Sequence, residues 1–429
     1  MNLEELYHLF TNCGSISIDS RTLPKGCLYI AIKGKNFNGN AFAQDALTKG
    51  AAYAVVDEAE FVVHENIFLV PDGLLFLQQL AHRHRQSFNI PFIGITGSNG
   101  KTTTKELVFN VLKQKYKTHV TQGNLNNHIG LPLTLLSLPK DTEMAVIEMG
   151  ANKIGDNAEL CEIFDPNFGL ITNIGKEHLE GFGNIEGVAL GNSELFYHLQ
   201  KNDGTAFVNL QEELVVRMAN KLAHKITYGF DLLDANYSAT ILSVNPSIKL
   251  YINDTEIKSP LFGNYNAENI MTAIAIGLYF NVSTESIKKG IEEYIPTNNR
   301  SQVIEKNTNH IIVDCYNANP SSMEVSIKNF MGMEIPGKRS VLMLGDMYET
   351  GAFENEEHEA IAKLIFSLNP NKVYLCGKAF GLQKNVLNCE WFETSASLYE
   401  YLIKHPINNS SIFIKGSRGM QMEKILDAL

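Results

Sequence analysis

Short apolar runs alternate with longer amphipathic stretches along the whole chain. In residues 1–88 the runs Leu28–Ile32, Ala51–Val56 and Ile67–Val70 each have the length of one buried strand, and Leu74–Phe88 reads as a closing helix. His82 and His84 on that helix are two residues apart and point in different directions, which reads as a solvated face and not a metal pair. Asn89-Ile-Pro91 then interrupts the pattern. From 89 to 296 the runs Ile93–Thr96, Met144–Met149 and Gly169–Asn173 are separated by helical stretches, which favours a mostly parallel sheet covered on both faces. Residues 297–429 repeat the alternation with His310–Asp314, Ser340–Gly345, Lys372–Cys376 and Ser411–Lys415. The pattern predicts an α/β protein of three domains: a smaller N-terminal α/β domain at 1–88, a central parallel-sheet domain at 89–296, and a doubly wound, Rossmann-like domain at 297–429. In such sheets ligands gather beyond the carboxyl ends of the strands.

The segment Pro91-Phe-Ile-Gly-Ile-Thr-Gly-Ser-Asn-Gly-Lys-Thr-Thr-Thr-Lys105 lies at such an end. It reads as a buried strand, a glycine-rich turn and a helix start, so backbone N–H groups can converge on a phosphate chain. Gly97 and Gly100 let the backbone approach an anion, with Ser98 and Asn99 between them. Lys101 can reach the outer phosphates, and the hydroxyl of Thr102, followed by Thr103, can ligate Mg²⁺. The common spacing requires glycine at position 95, which is Ile95; the glycines fall at 94, 97 and 100. We read a variant phosphate loop, and hence an ATP site of P-loop ATPase type.

Composition narrows the remaining choices. Lysine and arginine number 36 against 47 aspartates and glutamates, a formal charge of −11, and no basic cluster stands out. That argues against non-specific nucleic-acid binding. The amino-terminal residues lack a signal-peptide pattern, and no run of about 18 apolar residues suggests a membrane span. The six cysteines are scattered without a Cys-x-x-Cys pair, which predicts reduced thiols and a cytoplasmic protein, with zinc disfavoured.

Other residues offer chemistry of graded specificity. Glu148 ends an apolar strand and is placed to hold a Mg²⁺ that bridges phosphates. His178 follows the next strand, and a lone histidine is more often structural than a ligand. Gly123–Pro132 is rich in amides; it suits a sugar–diphosphate, or is a plain Asx-rich turn. Asp314 to Pro320 repeats the strand-end acid and turn. Arg300, in Asn298-Asn-Arg-Ser301, either stabilises a transferring phosphoryl group or pairs with local acids. Lys415 and Arg418 follow the last strand and suit a substrate carboxylate.

Taken together, Thr96–Thr103, Asp314–Pro320 with Ser321-Ser-Met, Leu344–Gly351 and Lys415–Met420 resemble the Mur ligases, the ATP-dependent amide-forming enzymes of bacterial cell-wall synthesis. The likeness runs nearly end to end. It is greatest to the branch that joins D-alanyl-D-alanine to UDP-N-acetylmuramoyl-tripeptide, and no Asp-Asn-Pro-Arg sequence of the preceding ligase is present. The resemblance implies these two substrates, ATP and Mg²⁺, a cytoplasmic monomer, and a mechanism through an acyl phosphate. It implies that Asp19, Ser20, Arg21 and Lys33 hold the UDP end, and that Asn124, Asn126, Asn127 and His128 hold the muramoyl-peptide and diphosphate portion. It further implies Thr102, Glu148 and His178 as metal ligands, Asn266 and Asn269 near adenine, and Arg300, Asp314 and Asn317 completing the nucleotide site. Catalysis would rest on Lys101, Arg300 and His178. At the position of the carbamylated lysine that many Mur ligases use for a second Mg²⁺, this chain has Asn192: either Asn192 with water or nearby Glu194 substitutes at the second metal, or the alignment slips locally, or activity is reduced. A folylpolyglutamate-type ligase and a non-catalytic nucleotide-binding paralogue are the alternatives; the first starts with its ATP domain, whereas about 90 residues precede it here.

Overall fold

In the computed structural model, residues 2–245, 247–296, 300–333, 335–385 and 389–429 are described. Residues 297–299, where the last domain is expected to begin, and with them Asn298 and Asn299 beside Arg300, lie outside the described residues. The described residues form three main sheets and a small two-stranded ribbon, Lys33–Gly34 with Phe37–Asn38.

The first sheet has four parallel strands in the order Ile16–Ser17, Leu28–Ile30, Tyr53–Val56, Ile67–Leu69. Its helix Gly73–Arg85 is started by the Asp72 carboxylate, which accepts from Leu75 N at 2.8 Å. That helix also ties the unit to the rest of the chain. Leu77 and Leu80 enter a core that continues through Phe92, Ile147 and Phe164 on one face of the large sheet. Arg85 donates to the carbonyls of Phe164 and Asp165, each at 2.8 Å, and lies 3.9 Å over the Phe92 ring.

The large sheet has nine strands. From one edge they run Thr118–Val120, Met144–Glu148, Phe92–Thr96, Phe168–Ile171, Thr205–Asn209, His224–Phe230, Tyr237–Ser243, Ile248–Ile252 and Thr255–Ser259. The first seven are parallel, and Ile248–Ile252 pairs antiparallel with both Tyr237–Ser243 and Thr255–Ser259. Phe92–Thr96 is buried at all five positions, as a strand covered by helices on both faces requires. The chain leaves this strand to one side and later returns to the other, so a topological switch point opens beyond Thr96. Glu148 and Thr172 emerge at the ends of the two flanking strands.

The last sheet orders Gln302–Lys306, Asn309–Asp314, Ser410–Lys415, Arg339–Gly345, Lys372–Cys376 and Glu390–Phe392, with the first strand antiparallel and the rest parallel. Separate cores fill its two faces, one around Phe330 and Phe413 on their shared side and one around Ile414 and Leu398. Its turns face the phosphate loop directly. Asn319 Nδ2 donates to Asn99 Oδ1 at 3.0 Å, Lys176 N donates to Ser321 Oγ at 2.6 Å, and Lys176 Nζ pairs with Glu357 at 2.6 Å.

One expectation from the sequence is corrected here. His84 is not on a solvated face; it is buried against Tyr7, Phe10 and Phe88, and that burial pulls its pKa down to about 4. A histidine beside Arg83 and Arg85 reads as polar, but the helix turns that position toward the aromatic side chains of the first helix. The six cysteines are unpaired, four of them buried. Among the described residues no helix is long and apolar enough to cross a membrane.

Candidate active site

The odd glycine spacing has a local explanation. Gly97 has φ +123°, and a Cβ there would stand 2.2 Å from Thr172 Oγ1; Gly100 has φ +82°, and its Cβ would stand 2.5 Å from Asn269 Oδ1. Both positions therefore demand glycine for backbone and space alike. The loop is pinned to the neighbouring strand end, with Ser98 N donating to Asn173 O at 2.9 Å and Asn99 N to Asn173 Oδ1 at 3.0 Å. Helix Lys101–Leu112 then starts from Gly100 with no side-chain cap. Its first-turn N–H groups, including those of Lys101, Thr102 and Thr103, have no intrahelical carbonyl to use, which is the arrangement an anion requires.

Two carboxylates face this loop. Thr102 Oγ1 donates to Glu148 Oε2 at 2.8 Å, and Asn126 Nδ2 donates to Glu148 Oε1 at 2.9 Å. Lys105, fully buried, lies 3.9 Å from Glu148 and donates to Thr121 O at 2.7 Å. A hydroxyl and a carboxylate in contact form a hard oxygen donor pair, which fits Mg²⁺. Lys101 folds back over the loop carbonyl of Gly97 and pairs with Glu177 at 3.1 Å. Glu177 is almost completely buried.

His178 occupies a left-handed conformation, φ +43°, after the strand Phe168–Ile171. Its Nδ1 meets Glu349 Oε2 of the last domain at 2.9 Å. That hydrogen bond, helped by the charges of His178 and Lys101, holds the Glu349 carboxyl below its usual range against the opposing effect of burial. Among the described residues no three His, Cys, Asp or Glu side chains gather as a metal cluster, so His178 stands beside Glu349 and apart from a ready-made ligand set.

Asn192 is buried and its amide is committed. Oδ1 accepts from Thr96 Oγ1 at 2.7 Å, while Nδ2 donates to Val188 O at 3.0 Å and lies 3.5 Å from Glu177 Oε1. Glu194 is turned away: it accepts from Gly155 N at 2.6 Å and Ala158 N at 2.9 Å, at the start of helix Asp156–Phe164. The idea that Glu194 substitutes at a second metal is therefore corrected, because its carboxylate is spent on a helix terminus.

In the last domain, Arg300 lies 3.6 Å over the Tyr316 ring and Arg418 lies 5.1 Å over the same ring. Among the described residues the buried Nε of Arg300 has no hydrogen-bond partner, an orphan donor suited to an anion. Asp314 pairs with Lys415 at 2.5 Å, and Lys415 also donates to Asn317 O at 3.2 Å. Lys415 is buried, so its expected role toward a substrate carboxylate is corrected: its charge is used by Asp314. Arg418 is exposed and keeps that role open.

Asn266 and Asn269 are buried behind the loop. Asn269 accepts from Thr104 Oγ1 at 3.0 Å and donates to Asn266 Oδ1 at 2.9 Å, while Asn266 donates to Phe262 O at 2.6 Å. Their amides brace the phosphate loop from the helix Asn264–Tyr279. Asn127 accepts from Gly130 N at 2.8 Å just before the helix Gly130–Leu136, Asn124 is exposed, and the His128 carbonyl accepts from Gln78 at 3.2 Å. Of this segment only Asn126 reaches the loop, through Glu148.

In the first unit Arg21 grips Asp19 with two hydrogen bonds of 2.9 and 2.8 Å, which hold the Asp19 carboxyl down at about 2, and Ser20 between them is buried. Lys33 pairs with Glu58 at 2.7 Å and Asp57 at 3.2 Å. Both groups follow the carboxyl ends of adjacent parallel strands, so they share one end of the four-stranded sheet. Glu177, Glu349 and Asn173 are the site residues that sequence reasoning passed over. The signal available for Glu177 was a carboxylate directly before His178 in a loop after a buried strand.

Comparison with known proteins places this architecture. The family described as Mur ligase middle domain matches residues 95–277, the Mur ligase glutamate ligase domain matches 299–418, and the Mur ligase family catalytic domain matches 13–85. A UDP-N-acetylmuramoyl-tripeptide–D-alanyl-D-alanine ligase of Bacillus subtilis is 35% identical over 430 residues, covering 96% of this chain and 92% of the relative. The chain belongs to the Mur ligase family. The Escherichia coli protein of the same name is 30% identical, covering 97% of this chain and 93% of its own. Among solved structures, MurF from Acinetobacter baumannii superposes with a TM-score of 0.86 at 29% identity, covering 96% of this chain and 92% of that one. MurF from Thermotoga maritima in complex with ADP gives 0.85 at 26% identity, covering 96% of both chains. The expected three-domain α/β Mur ligase fold is thus the fold of this chain.

Proposed function

We propose that this Mur ligase joins D-alanyl-D-alanine to a UDP-N-acetylmuramoyl tripeptide at the expense of ATP, in peptidoglycan precursor synthesis, as a cytoplasmic monomer with working units 1–88, 89–296 and 297–429. The observation that carries the reading is the contact of Thr102 with Glu148 beneath Lys101, at an uncapped helix start that faces a second domain. The names of the full-length relatives supply the two substrates.

A carboxylate cannot expel oxide, so the acceptor's terminal carboxylate first attacks the γ-phosphorus of ATP and ADP departs, leaving an acyl phosphate. The amine of D-alanyl-D-alanine then attacks the acyl carbon, phosphate leaves, and the amine gives up a proton. The first-turn N–H groups of Lys101, Thr102 and Thr103 would bind phosphate oxygens. Lys101 would exchange Glu177 for the nucleotide, and Arg300 would offer its orphan Nε from the last domain. Thr102 and Glu148 would hold Mg²⁺, with His178 as the further ligand the family resemblance implies; the bound ion neutralises phosphate charge. Glu349 orients His178 and links the two domains that close on the nucleotide. A coupled ADP-release assay with ATP, a UDP-muramoyl tripeptide and D-alanyl-D-alanine is expected to give turnover that needs all three. Release of ADP at the same rate without the dipeptide would overturn the assignment.

A further inference from the structure

A cavity of about 610 Å³ opens beside His178. His128, Lys153, Asp156, Glu159 and Glu180 line it, and among the described residues Glu349 is the contribution of the last domain. Most of its charged groups are already engaged. Asp156 accepts from Asn152 N at 2.9 Å, Glu159 accepts from Gln78 at 2.8 Å, and Glu349 holds His178. Among the described residues, the side chains of Lys153 and Glu180 have neither an ion-pair nor a hydrogen-bond partner, and both are exposed to the cavity. Their loops abut, since a Cβ on Gly181 would stand 3.5 Å from Lys153 Cβ. One unspent cation and one unspent anion thus stand side by side at the wall, more than ion-pair distance apart.

This placement bears on the acceptor, and the step rests on the function proposed above. The reacting carboxylate and the side chain of the acceptor's terminal residue leave the same carbon. If the carboxylate reaches Lys101 and His178, that side chain enters the nearest space, and His178 is itself part of the cavity wall. The dipeptide is the poorer occupant, because Arg418, the exposed cation suited to its carboxylate, belongs to the last domain and does not line the cavity.

We infer that this cavity receives the terminal side chain of the acceptor peptide and selects one carrying both an ammonium and a carboxylate, as in diaminopimelate, over one carrying an ammonium alone, as in lysine. Glu180 takes the ammonium and Lys153 the carboxylate. The test is calorimetric binding of the two UDP-muramoyl tripeptides to the full chain, with ADP-release kinetics alongside. The diaminopimelate acceptor should bind about tenfold more tightly, the scale of one charge-assisted hydrogen bond. Lys153→Met should bring the two acceptors to within about twofold of each other, Lys153→Arg should restore the preference, and Glu180→Gln should weaken both. Equal affinities in the unaltered protein, an unchanged ratio in Lys153→Met, or a raised KM for D-alanyl-D-alanine in that variant would each overturn the inference. Equal kcat/KM with both acceptors removes this inference alone, whereas absence of ADP release with either removes the proposed function as well.

Discussion

The turn after Phe92–Thr96 and the turn after Asn309–Asp314 occupy the same kind of place and are finished in opposite ways. Each follows a buried parallel strand and opens a helix that faces the interdomain cleft. The first ends in Gly100, whose left-handed backbone leaves helix Lys101–Leu112 without a side-chain cap. The second ends in Asn319, which caps helix Pro320–Met331 through Ser322 N at 2.8 Å, with Pro320 in the first turn. Their lysines differ in the same sense. Lys101 is partly exposed across the loop, whereas Lys415 is buried on Asp314. Topology brings both helix ends to the cleft, and capping chemistry decides which one is left for a ligand.

The largest effects should separate the two lysines. Lys101→Ala is expected to lower ADP formation by about a thousandfold or more, because the transferring phosphoryl group loses the charge of the loop lysine. It also strands the buried Glu177 carboxylate, so the double variant Lys101→Ala/Glu177→Gln should recover stability without recovering turnover. Near-normal kcat in either variant would erase the distinction between the turns. Lys415→Ala should act on the fold instead, costing about 3 kcal/mol in urea denaturation by leaving Asp314 without its partner. If that variant keeps its stability and loses only activity, the second turn is a ligand site after all.

Glycine geometry gives the next test. Gly100→Ala is expected to cost about 2 kcal/mol, part from the positive φ and part from moving Asn269, whose Oδ1 would lie 2.5 Å from the new carbon. ADP affinity measured by calorimetry should fall with it, since Asn269 and Thr104 brace the loop from behind. An unaltered ADP affinity would mean that the loop backbone is not the phosphate cradle.

Much of this is legible in the sequence alone. The strands Leu28–Ile30, Met144–Glu148, Lys372–Cys376 and Ser410–Lys415 fall where continuous apolar runs lie, because a strand buried on both faces has to be apolar throughout. Thr205–Asn209 and the antiparallel extension from Tyr237 to Ser259 were not read. In the extension, exposed and half-exposed residues such as Thr240 and Lys249 break the apolar run without giving a helical period, and Thr205–Asn209, though buried at four of five positions, has only Ala206-Phe-Val208 as an apolar run between polar ends. At the site, Lys101, Thr102 and Glu148 were readable because a phosphate loop and a strand-end acid are local features. The Lys415–Asp314 pair and the Glu349–His178 contact join residues far apart in the chain, and only the register of the last sheet and the docking of two domains bring them together.

The smallest effect tests the cap itself. Asn319→Ala removes the side chain that satisfies Ser322 N and the 3.0 Å bond to Asn99 Oδ1. Loss of an N-cap costs about 1 kcal/mol, and the partly buried amide–amide bond between the domains adds about 0.5 kcal/mol, so a modest shift in the urea midpoint is expected. KM for ATP should change by less than about threefold, because Asn319 occupies the helix end that a phosphate would otherwise use. A tenfold or larger rise in that KM, with stability intact, would show that the amide touches the nucleotide. The two turns would then be halves of a single phosphate site, and the difference in their capping would mark a division of labour between domains and not the exclusion of one helix end from binding.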